Sequence, residues 1–227
     1  MQLEVLADEA AVAAAAADRI AAEVRDAVAA RGRCVLAVSG GRTPWAMLRT
    51  LAGMDLPWDR LHVVQVDERA APAGDPDRNL THLRASLGSV PARVHAMPVE
   101  GPVLEAAAAD YARTLGELAG TPPVLDLVHL GLGPDGHTAS LVPGDPVLDV
   151  GDVEVALAGP YQGRRRMTLT YPALNRARRV LWVVTGAEKA PMLPRLLAGD
   201  PAIPAGRVRQ ADAIVYADPG AAARIRR

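Results

Sequence analysis

The sequence has little of the material from which disulfides or a membrane span are built. Its 227 residues include one cysteine, Cys34, and no phenylalanine. One cysteine excludes an internal disulfide, and its apolar surroundings predict a buried, inert thiol. No apolar run approaches the roughly 20 residues that a membrane-spanning helix needs. Because Met1–Glu4 also lacks the basic start of a signal peptide, the sequence predicts a cytoplasmic protein without a membrane partner.

An excess of charge of either sign is also lacking. The chain has 25 Lys and Arg against 26 Asp and Glu, a formal net charge of −1 at pH 7. A broad nucleic-acid surface needs an excess of positive charge, so no nucleic-acid partner is expected. Half of the residues are hydrophobic, which is enough for a sizeable core, and no Ser/Gly-rich linker or charge run divides the chain. The sequence therefore predicts a single domain over residues 1–227.

Short apolar runs alternate with helical patterns along the chain. Runs typical of buried strands lie at 34–38, 61–66, 124–130, 180–184 and 213–217. Helical spacing between them is clearest at 8–31, 80–87 and 103–118. Strands that alternate with helices form βαβ units. The predicted class is α/β, with an open, mostly parallel Rossmann-like sheet flanked by helices on both faces.

Three local features carry more specific expectations. Thr43 is a credible N-cap for a helix that begins at Pro44, and Asn79 for a helix that follows it. Residues 159–166 are predicted to form an arginine-rich turn between two short strands, 153–158 and 167–170.

A polar cluster directly follows each of four predicted strands. The clusters are Ser39–Thr43, Asp67–Arg69, Gly131–His137 and Thr185–Lys189. Ligands of open parallel sheets bind beyond the carboxyl ends of the strands. We therefore expect the four clusters to meet on one rim of the sheet and to form a ligand site there.

The first cluster, Ser39-Gly40-Gly41-Arg42-Thr43, offers backbone N–H groups, two hydroxyls and the start of a helix. Such a combination suits a phosphate or another anion. It is not a P-loop, because the Gly-x-x-x-x-Gly-Lys frame is missing. The alternative is a plain glycine-rich turn between a strand and a helix.

Several charged residues have both a functional and a structural interpretation. Arg69 can bind a phosphate or a developing oxyanion through its planar fork, or belong to a solvated rim with its neighbours. The run Arg164–Arg166 is either solvated surface or supplies one contact to a substrate phosphate. Lys189 is either a point charge for phosphate or an exposed helix lysine.

The Gly131–His137 loop matches the spacing of a dinucleotide-binding loop. Pro134 and Asp135 argue against that function, because a pyrophosphate needs free N–H groups and no negative charge. The glycines leave room for a ligand, and Asp135 is close enough to orient His137, a typical general base near neutral pH. The structural alternative is a helix-start histidine. No second His or Cys lies at ligand spacing, so no metal is expected, and His129 is predicted to be a core residue.

A set of segments resembles the 6-phosphogluconolactonase family, which shares a superfamily with the glucosamine-6-phosphate isomerases and deaminases. The segments are Val38–Pro44, Val66–Arg69 with Asn79, Gly131–Pro143, Arg166–Thr170 and Thr185–Ala190. The resemblance implies hydrolysis of 6-phospho-D-glucono-1,5-lactone to 6-phosphogluconate in the oxidative pentose phosphate pathway. It implies no metal or organic cofactor, and a fold that agrees with the βαβ interpretation. The sequence leaves open whether the protein is a monomer or a small homo-oligomer.

On this basis we expect His137 to activate water, Asp135 to hold its tautomer, and Arg69 or a loop N–H to stabilise the oxyanion. The expected binding residues for the phosphosugar lactone are Ser39, Gly40, Gly41, Arg42, Thr43, Asp67, Glu68, Asn79, Gly133, Gly136, Arg166 and Lys189.

Two alternatives remain, a sugar-phosphate deaminase or isomerase and a non-catalytic sugar-phosphate sensor. The deaminases typically carry a Glu before the proline that corresponds to Pro143 and a Tyr at the position of Arg69. The stretch Thr138–Pro143 has no Glu, which favours the lactonase. The segment 160–165 departs from the lactonase pattern, where a Lys/Pro-rich turn is common.

Overall fold

The computed structural model describes residues 1–225; residues 226 and 227 lie outside it. The strands are β1 (Gln2–Val5), β2 (Cys34–Val38), β3 (Leu61–Gln65), β4 (Asp67–Arg69), β5 (Arg93–His95), β6 (Leu127–Leu130), β7 (Val155–Tyr161), β8 (Arg164–Leu169), β9 (Arg179–Val184) and β10 (Ala213–Ala217). The α-helices are α1 (Glu9–Arg31), α2 (Arg42–Ala52), α3 (Asn79–Leu87), α4 (Leu104–Ala119), α5 (Tyr171–Arg176) and α6 (Leu193–Leu197). None of these helices is long and apolar enough to cross a membrane.

Seven parallel strands form the main sheet, in the order β1-β10-β9-β6-β2-β3-β5. From β2 the chain proceeds outwards through β3 to β5, whereas β6, β9 and β10 lie on the other side of β2. The direction of winding therefore reverses between β2 and β6. Such a reversal separates the loops that follow the two strands and opens a crevice at their carboxyl ends. The predicted α/β architecture is confirmed.

Both faces of the sheet are covered, and the alternation along β2 shows how. Cys34, Leu36 and Val38 face a core formed with α1, α2 and α3. Val35 and Ala37 face a second core, formed with α4, α5, α6 and part of β8. A strand buried on both faces has no polar position, which explains the continuous apolar run. Cys34 is fully buried, and burial raises the pKa of its thiol.

A second sheet, of three antiparallel strands in the order β4-β8-β7, was not expected from the sequence. The predicted arginine-rich turn over 159–166 is wrong, because most of it lies in the hairpin β7–β8. The turn itself is Gln162-Gly163, and both residues have positive φ, 52° and 77°. Positive φ at both central residues matches the twist of a two-residue hairpin, so the strands continue up to the turn.

The predicted helix caps are also wrong. Helix α2 begins at Arg42 after Gly41, and α3 begins at Asn79 after Arg78. Neither Thr43 nor Asn79 caps a helix with its side chain, because both side chains bond to other elements, as described below. Strand β1 was missed: it has four residues, most of them exposed, and it pairs along one side with β10.

Candidate active site

A cavity of about 410 Å³ lies at the carboxyl ends of β2, β6 and β9. Residues from all four predicted clusters line it, as do Asn79 and Arg166. The lining residues that the sequence singled out are Ser39, Gly40, Gly41, Arg42, Thr43, Asp67, Arg69, Asn79, Gly133, His137, Arg166 and Lys189. The convergence expected from the strand ends is therefore present in the fold.

Ser39 lines this cavity, and its side chain is buried. Its backbone N–H donates to Nδ1 of His129 at 3.3 Å, and its Oγ is buried without a hydrogen-bond partner within residues 1–225. His129 is fully buried, as predicted, and burial lowers the pKa of its imidazole to about 3. A neutral His129 can accept this bond, so it fixes the Ser39 backbone and does not engage the hydroxyl.

Helix α1 contributes a residue that sequence analysis missed, Glu9. Its carboxylate accepts from Arg42 Nε at 3.0 Å and Nη2 at 2.9 Å, and from Thr43 Oγ1 at 2.8 Å. Hydrogen bonds from Arg42 and Thr43 hold the pKa of Glu9 below its usual value. Thr43 Oγ1 also lies 2.7 Å from Thr185 Oγ1, so the first and fourth clusters are joined. Glu9 lies in a different helix from its partners, and no local pattern indicates the contact.

Asn79 connects the first two clusters. A Cβ on Gly40 would lie 2.1 Å from Asn79 Oδ1, so only glycine permits this approach. The same oxygen accepts from Arg69 Nη1 at 2.7 Å, while Asn79 Nδ2 donates to the Asp67 carbonyl at 3.0 Å. Asn79 therefore orients Arg69 at the wall of the cavity.

Glu68 does not line the cavity, contrary to its predicted place among the substrate-binding residues. Its side chain is fully buried, and its carboxylate accepts from the N–H groups of Asn79 and Leu80, each at 2.8 Å. Arg78 Nε lies 3.1 Å from the same carboxylate. The carboxylate is thus used to cap α3 and to pair with Arg78, and it is not available to a ligand.

Two arginines are neighbours on adjacent strands of the small sheet. Arg69 in β4 and Arg166 in β8 are register partners, and both line the cavity. Arg166 is only 4% exposed, and burial together with the charge of Arg69 lowers the pKa of its guanidinium. The nearest carboxylate oxygen, on Asp67, lies 3.9 Å from Arg166 Nη1. Because like charges at opposed positions destabilise a sheet, an anion bound between the two would be favourable.

The neighbouring arginines point elsewhere. Arg164 pairs with Asp75 and Asp77, each at 3.2 Å, and Arg165 pairs with Glu105 at 3.2 Å. Of the run Arg164–Arg166, only Arg166 lines the cavity. Lys189 also lines the cavity, and its Nζ lies 3.6 Å from an oxygen of Glu188, which lines the cavity as well.

His137 and Asp135 form a close pair. His137 Nδ1 lies 2.5 Å from Asp135 Oδ1, and the His137 backbone N–H donates to the same oxygen at 3.1 Å. Partial burial opposes ionisation of Asp135, but these bonds and the imidazole hold the pKa of its carboxyl below its usual value. An ionised Asp135 accepts from Nδ1–H, so Nε2 is the nitrogen left to act as a base.

The glycines around His137 serve the histidine itself. A Cβ on Gly133 would lie 2.0 Å from His137 Nδ1, so the room expected for a ligand is taken by the imidazole. Gly136 has φ of +87° and does not line the cavity. Ala139, which does line it, is one of few non-glycine residues with positive φ, at 52°. No helix begins at this loop, so His137 is not a helix-start histidine.

The residues described include no group of three or more His, Cys, Asp or Glu side chains arranged to hold a metal ion. The site instead combines a polarised imidazole, two arginines, a lysine, a free hydroxyl and a glycine-rich strand end. Such a set of groups binds an anionic substrate and moves a proton at one point of it.

Comparison with known proteins places the chain. The family described as glucosamine-6-phosphate isomerases/6-phosphogluconolactonase matches residues 7–216. A 6-phosphogluconolactonase of Synechocystis sp. is 40% identical over 187 residues, which cover 79% of this chain and 78% of that protein. A 6-phosphogluconolactonase of Mycobacterium tuberculosis is 36% identical, with 98% of each chain covered. The crystal structure of a 6-phosphogluconolactonase from Thermotoga maritima superposes with a TM-score of 0.84 at 28% identity, covering 96% of this chain and 98% of that one. The chain therefore belongs to the glucosamine-6-phosphate isomerase/6-phosphogluconolactonase family.

Proposed function

We propose that this protein hydrolyses 6-phospho-D-glucono-1,5-lactone to 6-phosphogluconate, the second step of the oxidative pentose phosphate pathway. The observation that carries the proposal is one cavity that is lined by His137, the partner of Asp135, and by both Arg69 and Arg166. The names of the relatives agree with a lactonase. The Thr138–Pro143 stretch, which lacks a Glu, supports hydrolysis rather than deamination.

In the proposed reaction His137 Nε2 takes a proton from a water molecule as the water oxygen attacks the lactone carbonyl. Asp135 stabilises the resulting imidazolium through Nδ1 and keeps the ring in the productive tautomer. The tetrahedral intermediate then collapses, the bond from the carbonyl carbon to the ring oxygen breaks, and His137 returns the proton to the departing oxygen. The product is the open-chain acid.

Arg69 is the better of the two proposed oxyanion donors. The N–H groups of Gly133 and Gly136 already donate to the carbonyls of His137 and Gly133, at 2.8 Å and 3.0 Å. Arg69 is held by Asn79 and lines the cavity with its guanidinium partly unused. A well-placed oxyanion donor is typically worth about 3–4 kcal/mol of transition-state stabilisation.

The substrate phosphate is proposed to bind at the Ser39–Thr43 loop, with Arg166 and Lys189 nearby. Ser39 Oγ has no protein partner in the described residues, and Arg166 is a buried cation whose ion pair with Asp67 is long, at 3.9 Å. Binding at this remote group orients the carbonyl against His137 and so contributes to the rate.

The proposal is tested by coupled assay of freshly made lactone with His137→Ala, after subtraction of spontaneous hydrolysis. We expect kcat to fall by a factor of about 100 or more, with the fold intact by circular dichroism. His82→Ala is the matched control, because His82 lies on α3 outside the cavity lining. Near-normal turnover by His137→Ala would remove His137 from the mechanism. Ammonia release from glucosamine 6-phosphate would indicate a deaminase, and phosphosugar binding without turnover a sensor.

The anchoring role of Arg166 has its own test. Arg166→Ala should chiefly raise KM, because the lost contact is made to the phosphate in both the ground state and the transition state. Arg165→Ala, next to it but paired with Glu105 on the outside, should leave KM unchanged. A fall in kcat alone for Arg166→Ala would contradict an anchoring role.

A further inference from the structure

The hairpin β7–β8 brings a tyrosine against the His137–Asp135 pair. The ring of Tyr161 meets the ring of His137 nearly edge-on, with centroids 5.3 Å apart and an interplanar angle of 63°. Its hydroxyl donates to Asp135 Oδ2 at 3.4 Å, the carboxylate oxygen that His137 does not use. Tyr161 thus contacts both members of the pair without lining the cavity.

The same tyrosine also holds the buried arginine. Arg166 Cζ lies 5.0 Å from the centre of the Tyr161 ring, within the range of a cation–π contact. Arg166 Nε and Nη2 donate to the Tyr161 carbonyl at 3.4 Å and 3.3 Å. One residue near the turn of the hairpin therefore touches the general base, its carboxylate and the anion-binding arginine.

We infer that Tyr161 is a positioning residue that aligns the His137–Asp135 pair through its hydroxyl and Arg166 through its ring. The inference rests on the proposed function. The sequence alone did not indicate a role for Tyr161. This residue lies in the segment 160–165, where the chain departs from the lactonase pattern.

The two parts of the side chain have separable tasks. Burial and the charge of Asp135 raise the pKa of the Tyr161 hydroxyl, so it stays protonated and donates. A donor at Oδ2 fixes the carboxylate plane, which leaves Oδ1 directed at His137 Nδ1. The ring face packs against the guanidinium of Arg166. The hydrogen bonds from Arg166 to the Tyr161 carbonyl are long, so they hold the guanidinium only weakly. Without the ring, the guanidinium can turn away from the cavity.

The hydroxyl is tested by a double-mutant cycle of Tyr161→Phe and Asp135→Ala. Tyr161→Phe keeps the ring and should lower kcat by roughly threefold to tenfold with KM unchanged, as the loss of one long bond to a charged group predicts. In the Asp135→Ala background the same change should alter kcat by less than about twofold, because the partner is gone. An equal loss in both backgrounds, or no loss in the first, overturns the role of the hydroxyl.

The ring is tested by comparing Tyr161→Leu with Tyr161→Phe. Leucine removes the ring face, so KM should rise roughly fivefold or more, whereas phenylalanine leaves KM as it is. Equal KM values for the two variants overturn the role of the ring. If Tyr161 had only a structural role, both variants would show parallel decreases in kcat and in the melting temperature. The effect on kcat would then not be separate from the effect on KM.

A failure of the proposed function is separable from a failure of this inference. If the unmodified protein does not hydrolyse the lactone, the proposed function fails, and the contact itself is judged by proton NMR. The imidazole resonances of His137, assigned by their absence in His137→Ala, should shift in Tyr161→Leu and stay nearly in place in Tyr161→Phe, because only leucine removes the ring current. Unchanged resonances in Tyr161→Leu overturn the arrangement whatever the activity.

Discussion

At residue 133 the absence of a side chain decides where the imidazole of His137 lies. Any Cβ at Gly133 would overlap the ring of His137, whose Nδ1 would be 2.0 Å away. The second glycine of the loop, Gly136, is required for a different reason, since its φ of +87° is unfavourable for other residues. The spacing that resembles a nucleotide loop is therefore the spacing needed to seat a histidine.

Gly133→Ala should lower kcat by roughly a hundredfold, because a displacement of about 1 Å at a catalytic group has that effect. The imidazole would have to leave Asp135, while the backbone, which needs no positive φ here, would stay in place. Steady-state assay of the variant measures the effect. Gly151→Ala is the control, since a Cβ there meets nothing within 4 Å. A Gly133→Ala enzyme with normal kcat would show that His137 can act from another position.

Ser39 has a buried hydroxyl without a hydrogen-bond partner in the described residues, so the hydroxyl does not stabilise the fold. Ser39→Ala should raise KM by roughly tenfold through the loss of one hydrogen bond to an anion, and it should leave kcat unchanged and not lower the melting temperature. The melting temperature is the internal control, because a hydroxyl with a hidden protein partner would lower it when removed. A normal KM would place the phosphate elsewhere in the cavity.

At the scale of single residues, the sequence was informative where a motif is contiguous. His137, Asp135 and the Ser39–Thr43 loop were predicted from local pattern, and all but Asp135 line the cavity. Glu9 was not predicted, because its partners Arg42 and Thr43 lie 33 and 34 residues away. Glu68 was predicted to bind substrate but does not line the cavity, since a run of charges does not reveal which side chain faces a ligand.

Among the elements, β4 and α3 are joined by a buried ion pair. Glu68 in β4 caps the first turn of α3 and pairs with Arg78, whose side chain is 1% exposed. The cap comes from another strand, so the helix start is correct only when β4 is in place. Since β4 carries Arg69 and α3 carries Asn79, the same pair fixes the geometry of one cavity wall.

Glu68→Ala should lower the free energy of unfolding by about 3–5 kcal/mol, because it leaves the Arg78 charge buried and only partly compensated by Glu100. Urea denaturation measures the change. Glu105→Ala removes an exposed partner of Arg165 in the first turn of α4 and should lower the free energy of unfolding by less than about 1 kcal/mol. If the two variants were equally stable, the buried pair would contribute no more than a surface contact.

Elements with a clear hydrophobic pattern were predictable from the sequence, whereas elements whose extent depends on pairing with a distant strand were not. The apolar runs of β2 and β9 identify buried strands without further information. The hairpin β7–β8 was cut short because its last residues, among them Arg164 and Arg165, are polar and were taken for a turn. They remain extended because Arg164 pairs with Tyr161 across the hairpin and the Arg165 carbonyl accepts from the Ala70 N–H at 2.9 Å, contacts that the local sequence does not reveal.

Across the whole molecule, three histidines are kept neutral by the fold. Burial lowers the pKa values of His62 and His95, which lie together at the edge of the main sheet. Burial also lowers the pKa of His129, to about 3. In the unfolded chain such groups take up protons near pH ~6.5. The unfolded state therefore binds more protons below that pH, and the stability of the fold decreases as the pH falls.

His129→Asn isolates one of these groups. An asparagine oxygen can accept the bond from the Ser39 N–H and does not titrate. Between pH ~6 and pH ~4.5 the unfolding free energy of the unmodified protein should fall more steeply than that of the variant, by about 1.4 kcal/mol per pH unit. Urea denaturation at several pH values gives both slopes. Parallel slopes would mean that His129 is protonated in the native state.

The order of strands in the main sheet has a consequence for the folding of the chain during its synthesis. Strand β2 is next to β6, although paired residues of the two strands, such as Leu36 and Leu127, lie 91 positions apart in the sequence. A ribosome therefore releases the first half of the protein with one side of β2 open, and β6 closes it only later. Until then the nascent chain has an unpaired apolar strand and no assembled cavity. In the interval between the synthesis of β2 and that of β6, this side of β2 is open to pairing with the wrong strand.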